Sequence, residues 1–177
     1  VGYVAYLWCL DSVAINEGDS AMEVSEKCRP ATECLLRLCQ RLVSCEGICS
    51  PGLCIVTRGA VATGANAVVD GFALSQSMTA GLANAVDAEY PWLGVVCVDL
   101  DRDTSVEGPE VCALAVLGEM IRRESGERRV CLRGRRRLVE RLSAIVPDPA
   151  PSPPATAYLP GPDRKSVGEG KRVESGG

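Results

Sequence analysis

Ten cysteines are the first residues of this chain whose type suggests chemistry: Cys9, Cys28, Cys34, Cys39, Cys45, Cys49, Cys54, Cys97, Cys112 and Cys131. Thiolates at short, regular spacing hold zinc or iron–sulfur clusters, usually as Cys-x-x-Cys pairs or together with histidine. This chain has no histidine and no Cys-x-x-Cys pair. Cys45 and Cys49 lie four apart, but position 52, which would extend them to a cluster-type triplet, is Gly52. Cys9, Cys54, Cys97 and Cys131 fall inside apolar runs that read as strands, where cysteine behaves as a small hydrophobe. With no secretory signal in view, the expectation is reduced, buried thiols and no metal site. The lack of histidine also removes the Ser–His and Cys–His nucleophile systems.

Four further groups of residues invite a functional reading. Asp99 and Asp101 could serve as acid–base or metal carboxylates, but no third ligand accompanies them, and they read as solvated residues at a strand end. Thr57, Gly59 and Gly64 superficially match the Thr-Gly-x-x-x-Gly-x-Gly phosphate loop of short-chain dehydrogenases. Arg58 stands where that loop has glycine, and the spacing differs, so the stretch reads as a strand end followed by a loop of small residues. Gly168-Glu169-Gly170-Lys171 contains the letters of a phosphate loop yet follows no strand and opens no helix. Seven arginines cluster at Arg128, Arg129, Arg133, Arg135, Arg136, Arg137 and Arg141. No aromatic residue interleaves them, so they read as a solvated hairpin or domain-contact face rather than a nucleic-acid surface.

These residues must be positioned by an alternation of strands and helices. The anchor is Leu53-Cys54-Ile55-Val56, four apolar residues that stop at Thr57-Arg58-Gly59, as suits a strand buried on both faces. Before it, Gly2 to Leu10 reads as a strand and Ala21 to Cys45 as a helix, with Pro30 arguing for a break or a start near Arg29. After it, Phe72 to Tyr90 reads as a helix capped by Asp70, with Leu74, Met78, Leu82 and Val86 on its apolar face. Gly94 to Val98 follows as a strand. Glu110 to Arg123 is a helix with Val111, Leu114, Leu117 and Ile121 on one face. Arg128 to Leu132 is a strand; in Arg137 to Ile145 the recurrence of Leu138, Leu142 and Val146 suits a helix, but a turn at Gly134 favours a strand pairing with it, and the strand is the expectation. The alternation predicts an α/β fold, a mostly parallel sheet with flanking helices and a C-terminal strand pair.

The 177 residues suffice for one domain with a core, and an apolar fraction of 46% with 24% charged residues is ordinary for a globular chain. A net charge of −4 gives no reason to seek nucleic acid or an anionic membrane, and no apolar run approaches a membrane span, so the expected location is cytoplasmic. Val1 opens on strand-like sequence without an initiator methionine, so the chain reads as a piece of a longer one. From Pro147 to Pro162 the composition turns proline-rich, as in an extended linker. Residues 163–177 read as translated sequencing-adapter DNA and are left out of fold reasoning. The organisation expected is a domain at 1–146, a linker at 147–162 and a tail at 163–177.

An ordered set of short motifs carries a resemblance. It runs Leu7-Trp8-Cys9-Leu10-Asp11, Leu53-Cys54-Ile55-Val56-Thr57-Arg58-Gly59-Ala60, Ala80-Gly81-Leu82 with Glu89-Tyr90-Pro91, Val98-Asp99-Leu100-Asp101, and Arg133-Gly134-Arg135-Arg136 with Arg141-Leu142. Together they resemble the N-terminal structural half of the ketoreductase domain of modular type I polyketide synthases. Ala80 stands where that family has tryptophan, and the cysteine content is atypical. The resemblance implies a truncated Rossmann-like subdomain, a non-catalytic scaffold with no cofactor of its own. It implies as partner a downstream catalytic half that binds NADPH and reduces β-ketoacyl groups on an acyl carrier protein. That half's serine, tyrosine, lysine and asparagine lie beyond this chain, which itself has no Tyr-x-x-x-Lys pair. The expected catalytic, cofactor and metal residues are therefore none. The alternatives are the pseudo-ketoreductase half of a fatty acid synthase-like chain, or an independent α/β metal- or nucleotide-binding protein. A half-domain should also expose an apolar face, expected near the third helix and the arginine-rich segment.

Overall fold

The computed structural model describes residues 2–45, 51–64, 70–103, 108–122, 126–142 and 144. Cys49, the expected linker and the expected tail lie outside the described residues. The elements below all belong to one compact unit, Val1–Arg141. They are β1 (Tyr3–Tyr6), a 3-10 turn (Trp8–Asp11), α1 (Ala21–Ser44), β2 (Gly52–Arg58), α2 (Gly71–Glu89), a 3-10 turn (Pro91–Leu93), β3 (Val96–Leu100), α3 (Pro109–Ile121), β4 (Arg129–Arg133) and β5 (Arg136–Val139). The five strands form one sheet in chain order. β1 to β4 run parallel and β5 returns antiparallel beside β4. This is the expected Rossmann-like α/β architecture, including the C-terminal strand pair.

β2 is apolar throughout its middle because it is paired on both edges and covered on both faces. Leu53 and Ile55 face α1 and α2, where they meet Tyr6, Leu35, Cys39, Ala83 and Val86. Cys54 and Val56 face the other way, toward Val116 and Met120 of α3. The strand order steps one way throughout while α3 lies opposite α1 and α2. The β3–α3–β4 crossover therefore has the opposite hand to the two before it, a departure from the usual uniformity of such units.

Several local expectations change. The first strand ends at Tyr6, and Trp8 to Asp11 coil into a 3-10 turn that still buries Cys9. α1 begins at a full capping box, with Ser20 and Glu23 satisfying each other's backbone amides. It runs unbroken through Pro30. A proline costs one amide donor there, but packing holds the helix: Cys28, Ala31, Leu35 and Cys39 are buried. The Tyr6 hydroxyl donates to the Ala31 carbonyl, and Thr32 Oγ1 donates to the Cys28 carbonyl at 3.0 Å.

α2 is capped by Asp70, whose Oδ1 accepts from the Ala73 amide at 2.9 Å, as expected. Its buried face is another matter. Ala73, Ser75, Gln76, Thr79, Ala83 and Val86 turn inward, while Leu74 and Met78 are half exposed. Small and hydroxylic residues let α2 approach α1 closely, with Thr32 and Thr79 hydroxyls 3.3 Å apart. α3 is reversed in the same sense. It buries Val116, Glu119 and Met120 and leaves Val111, Leu114, Leu117 and Ile121 outward.

The start of α2 is pinned to the segment before α1. The Ile15 amide donates to the Gly71 carbonyl at 2.9 Å, and a Cβ at Gly71 would stand 1.6 Å from the Ile15 carbonyl oxygen. Gly71→Ala is expected to lose about 3 kcal/mol by forcing backbone apart. Gly81→Ala, within the same helix and with open space around the new methyl, is expected to gain about 0.5–1 kcal/mol. Chemical denaturation of both variants checks the pair. Equal effects would contradict the close approach at Ile15.

Candidate functional site

Open α/β sheets bind ligands outside the carboxyl ends of their strands. In this chain that edge is occupied by its own side chains. β2 leaves the sheet at Gly59, which has φ +60° and whose amide donates to the Leu100 carbonyl at 3.0 Å. The loop that follows folds over Asp99, at the end of β3. Asp99 Oδ1 accepts from Thr57 Oγ1 at 2.6 Å and from the Ala60 amide at 2.9 Å. Oδ2 accepts from the Val61 amide at 3.2 Å and from Arg133 Nη2 at 2.5 Å.

Arg133, the last residue of β4, completes the arrangement. Its Nη1 donates to the carbonyls of Asp99, Leu100 and Leu132, each at 3.0 Å. Its Nη2 also reaches the Val61 carbonyl at 2.8 Å, and Nε reaches Thr63 Oγ1 at 3.2 Å. Such saturation is what a largely buried ion pair needs to offset the desolvation of both charges. Gln76 does similar work for the end of β2, accepting from the Arg58 amide at 2.9 Å and donating to the Arg58 carbonyl at 3.0 Å.

The expectation of solvated aspartates is corrected for Asp99, which is 2% exposed. It is buried because β4 brings Arg133 beside it, a contact between residues 34 apart in sequence. Asp101 is part-exposed, and its Oδ2 accepts the Gly134 amide at 2.8 Å, tying the β4–β5 turn to the end of β3.

The arginine cluster is likewise divided by its partners rather than uniformly solvated. Arg137 holds Glu119 of α3 through two hydrogen bonds of 2.8 Å. Arg128 pairs with Asp87, Arg129 with Glu140 and Arg141 with Glu127. Sequence reasoning named Arg133 only as one of the arginine cluster, without its partner Asp99, and missed Gln76 and Glu119. The last two carried a faint signal, polar residues at core positions of otherwise apolar helices.

The thiols follow the sequence reading in part: Cys9 lies in the 3-10 turn rather than a strand, and Cys45 is exposed. Cys54, Cys97 and Cys131 lie in strands, and Cys9, Cys28, Cys39 and Cys54 are buried. Burial pushes the Cys9 and Cys39 thiols up to about 11 and those of Cys54 and Cys97 up to about 12. These thiols are protonated and poorly nucleophilic at neutral pH. Among the described residues no three His, Cys, Asp or Glu side chains are grouped to hold a metal ion.

Among the described residues, two apolar surfaces bear on how this unit could meet a neighbour. The first is the sheet face carrying α1 and α2, which those helices leave open beyond β2. There Ile55, Cys97, Cys131 and Leu138 line a groove of about 330 Å³. The second is the outer side of α3, where Leu114 is 69% and Ile121 73% exposed. This side lies near the arginine-rich hairpin, as expected. Among the described residues no helix is long and apolar enough to cross a membrane.

The family model described as "Polyketide synthase extender module SpnB, Rossmann fold domain" matches residues 4–142. This chain belongs to that family. Among solved structures it is similar to one described as "Structure of A-type Ketoreductases from Modular Polyketide Synthase". The TM-score is 0.59 at 21% identity, and the match covers 82% of this chain and 27% of that one. The likeness is one of fold, and the chain spans about a quarter of that ketoreductase chain. No curated protein matches. The matched span coincides with the sheet and its helices and takes in Asp99, Arg133 and Glu119.

Two predictions follow from these environments. Arg137 and Arg122 hold the buried Glu119 carboxyl below the usual carboxylate range, against the opposing effect of burial. A lowered pKa means that the stabilisation is complete above the unfolded value, near ~4.3, and fades as pH falls through the folded one. Glu119→Gln should lose about 2 kcal/mol near neutrality, the partly exposed Arg137 tempering the loss. Its melting temperature should also fall less steeply than the parent's on acidification below about pH 4.5. Parallel curves would remove Glu119 as a source of acid sensitivity. Separately, a thiol reagent at about pH 8 should modify exposed Cys45 readily and buried Cys54 only after unfolding. Mass spectrometry of digests identifies the sites, and native labelling of Cys54 would contradict its burial.

Proposed function

We propose that this Rossmann domain is the non-catalytic structural half of a polyketide synthase ketoreductase. It scaffolds a second half, downstream in the synthase, that binds NADPH and reduces β-ketoacyl groups on an acyl carrier protein. The observation that carries the reading is the occupied strand edge. Asp99, Thr57 and Arg133 saturate one another and the loop amides where an enzyme of this architecture would receive its ligand. Membership of a family described by the Rossmann fold domain of a polyketide synthase extender module supports this reading. The likeness of fold to ketoreductases and the 27% coverage of that larger chain agree with a part whose partner is elsewhere.

The two apolar surfaces are where a supporting half would meet its neighbours. Exposed leucine and isoleucine on one side of a helix are costly in isolation and are usually covered in the working assembly. The domain's contribution to reduction is then mechanical, holding the catalytic half in a folded and oriented state.

The test has two arms. The isolated chain is expected to show no saturable NADPH binding by fluorescence titration and no stoichiometric zinc or iron after dialysis. A ketoreductase catalytic half from the same family, co-expressed with this chain, is expected to be recovered with it and to oxidise NADPH on a β-ketoacyl thioester. Saturable NADPH binding or one equivalent of metal on the isolated chain would overturn the scaffold reading.

A further inference from the structure

The loop after β2 is built as an anion cradle and filled by the chain's own carboxylate. Two successive amides, Ala60 and Val61, converge on Asp99 after the left-handed turn at Gly59. The Thr57 hydroxyl and the Arg133 guanidinium converge on the same two oxygens. Consecutive backbone amides, a hydroxyl and an arginine fork make up a donor set that binds phosphate. Asp99 reaches it from the neighbouring strand, through the parallel pairing of Thr57 with Asp99.

We propose that Asp99 is a built-in substitute for a bound phosphate, so that the loop is an anion site held shut from within. Without the Asp99 carboxyl the same donors would take inorganic phosphate or the phosphate of a monoester. Space and access support this. Thr57, Val61, Thr63 and Asp99 also line the open groove of about 330 Å³, so the vacated position would face solvent. Charge supports it too, since Arg133, whose side chain is 17% exposed, would be left without its carboxylate. The inference deepens the scaffold reading by naming the residue that closes the strand edge, and it rests on that reading.

The experiment compares the full chain, Asp99→Ala and Asp99→Ala/Arg133→Gln by thermal melting in potassium phosphate against chloride of equal ionic strength. The parent supplies the baseline for the general stabilising effect of phosphate. Asp99→Ala is expected to melt lower than the parent in chloride. It should then gain about 3 °C or more over that baseline in ~10 mM phosphate, with no such gain in the double variant. A gain no larger than the parent's overturns the proposal, as does an equal gain in the double variant. Should Asp99→Ala not fold in chloride, its refolding yield on dilution from denaturant decides. A higher yield in phosphate supports the proposal, and equal yields overturn it. NADPH binding by the parent would sink the scaffold reading, whereas a phosphate-indifferent Asp99→Ala would sink only this inference.

Discussion

The carboxylate of Asp99 and the guanidinium of Arg133 are the constraint on which the carboxyl edge of the sheet depends. Two charges this far from water are tolerated only when nearly every donor and acceptor is used. Meeting that condition draws in four parts of the chain: the end of β2 through Thr57, the loop through Ala60 and Val61, the end of β3, and the end of β4. The alignment of three strand ends, the path of the loop and the start of the β4–β5 hairpin then follow from one satisfied pair. Arg133 is suited to this role where lysine would not be, because a planar fork can donate to several carbonyls and a carboxylate at once.

The opposite face has its own polar tie. Glu119, inside the α3 core cluster's helix, is held by Arg137 of β5 and Arg122 at the helix end. α3 is thereby fixed to the hairpin as well as to the sheet. These two charged ties, one on each face, brace the β3–β4–β5 side of the sheet, beside the groove. They tie the sheet to its loop and to α3, while among the described residues apolar surface stays open on the groove and on α3. The same saturation uses up the strand-edge donors that a ligand would need.

Much of the architecture was legible in one dimension. The apolar runs of β2 and β3, the Asp70 cap and the turn at Gly134 all depend on residues within a few positions of one another. Order, type and approximate limits of the elements therefore follow from local spacing, and the ordered motifs from Leu7 to Leu142 carry the family resemblance. Which side of a helix faces inward was not legible in the same way. In α3 the apolar stripe led by Leu114 and Ile121 is the outward one, and in α2 the stripe is split, with Leu74 and Met78 half exposed and Val86 buried. Periodicity finds the apolar side but cannot say whether the surface it needs belongs to this domain or to another.

By itself, then, the sequence determined the alternation of strands and helices, the helix starts, the strand pair and the lack of histidine-based chemistry, because each is a matter of composition or near-neighbour spacing. Tertiary structure alone decided that Asp99 is buried, that Arg133 is its partner and that Glu119 is a core residue. Their environments come from strands and helices brought together across 34 and 18 residues of chain. A carboxylate's surroundings are set by what folding places beside it, and no local pattern records that.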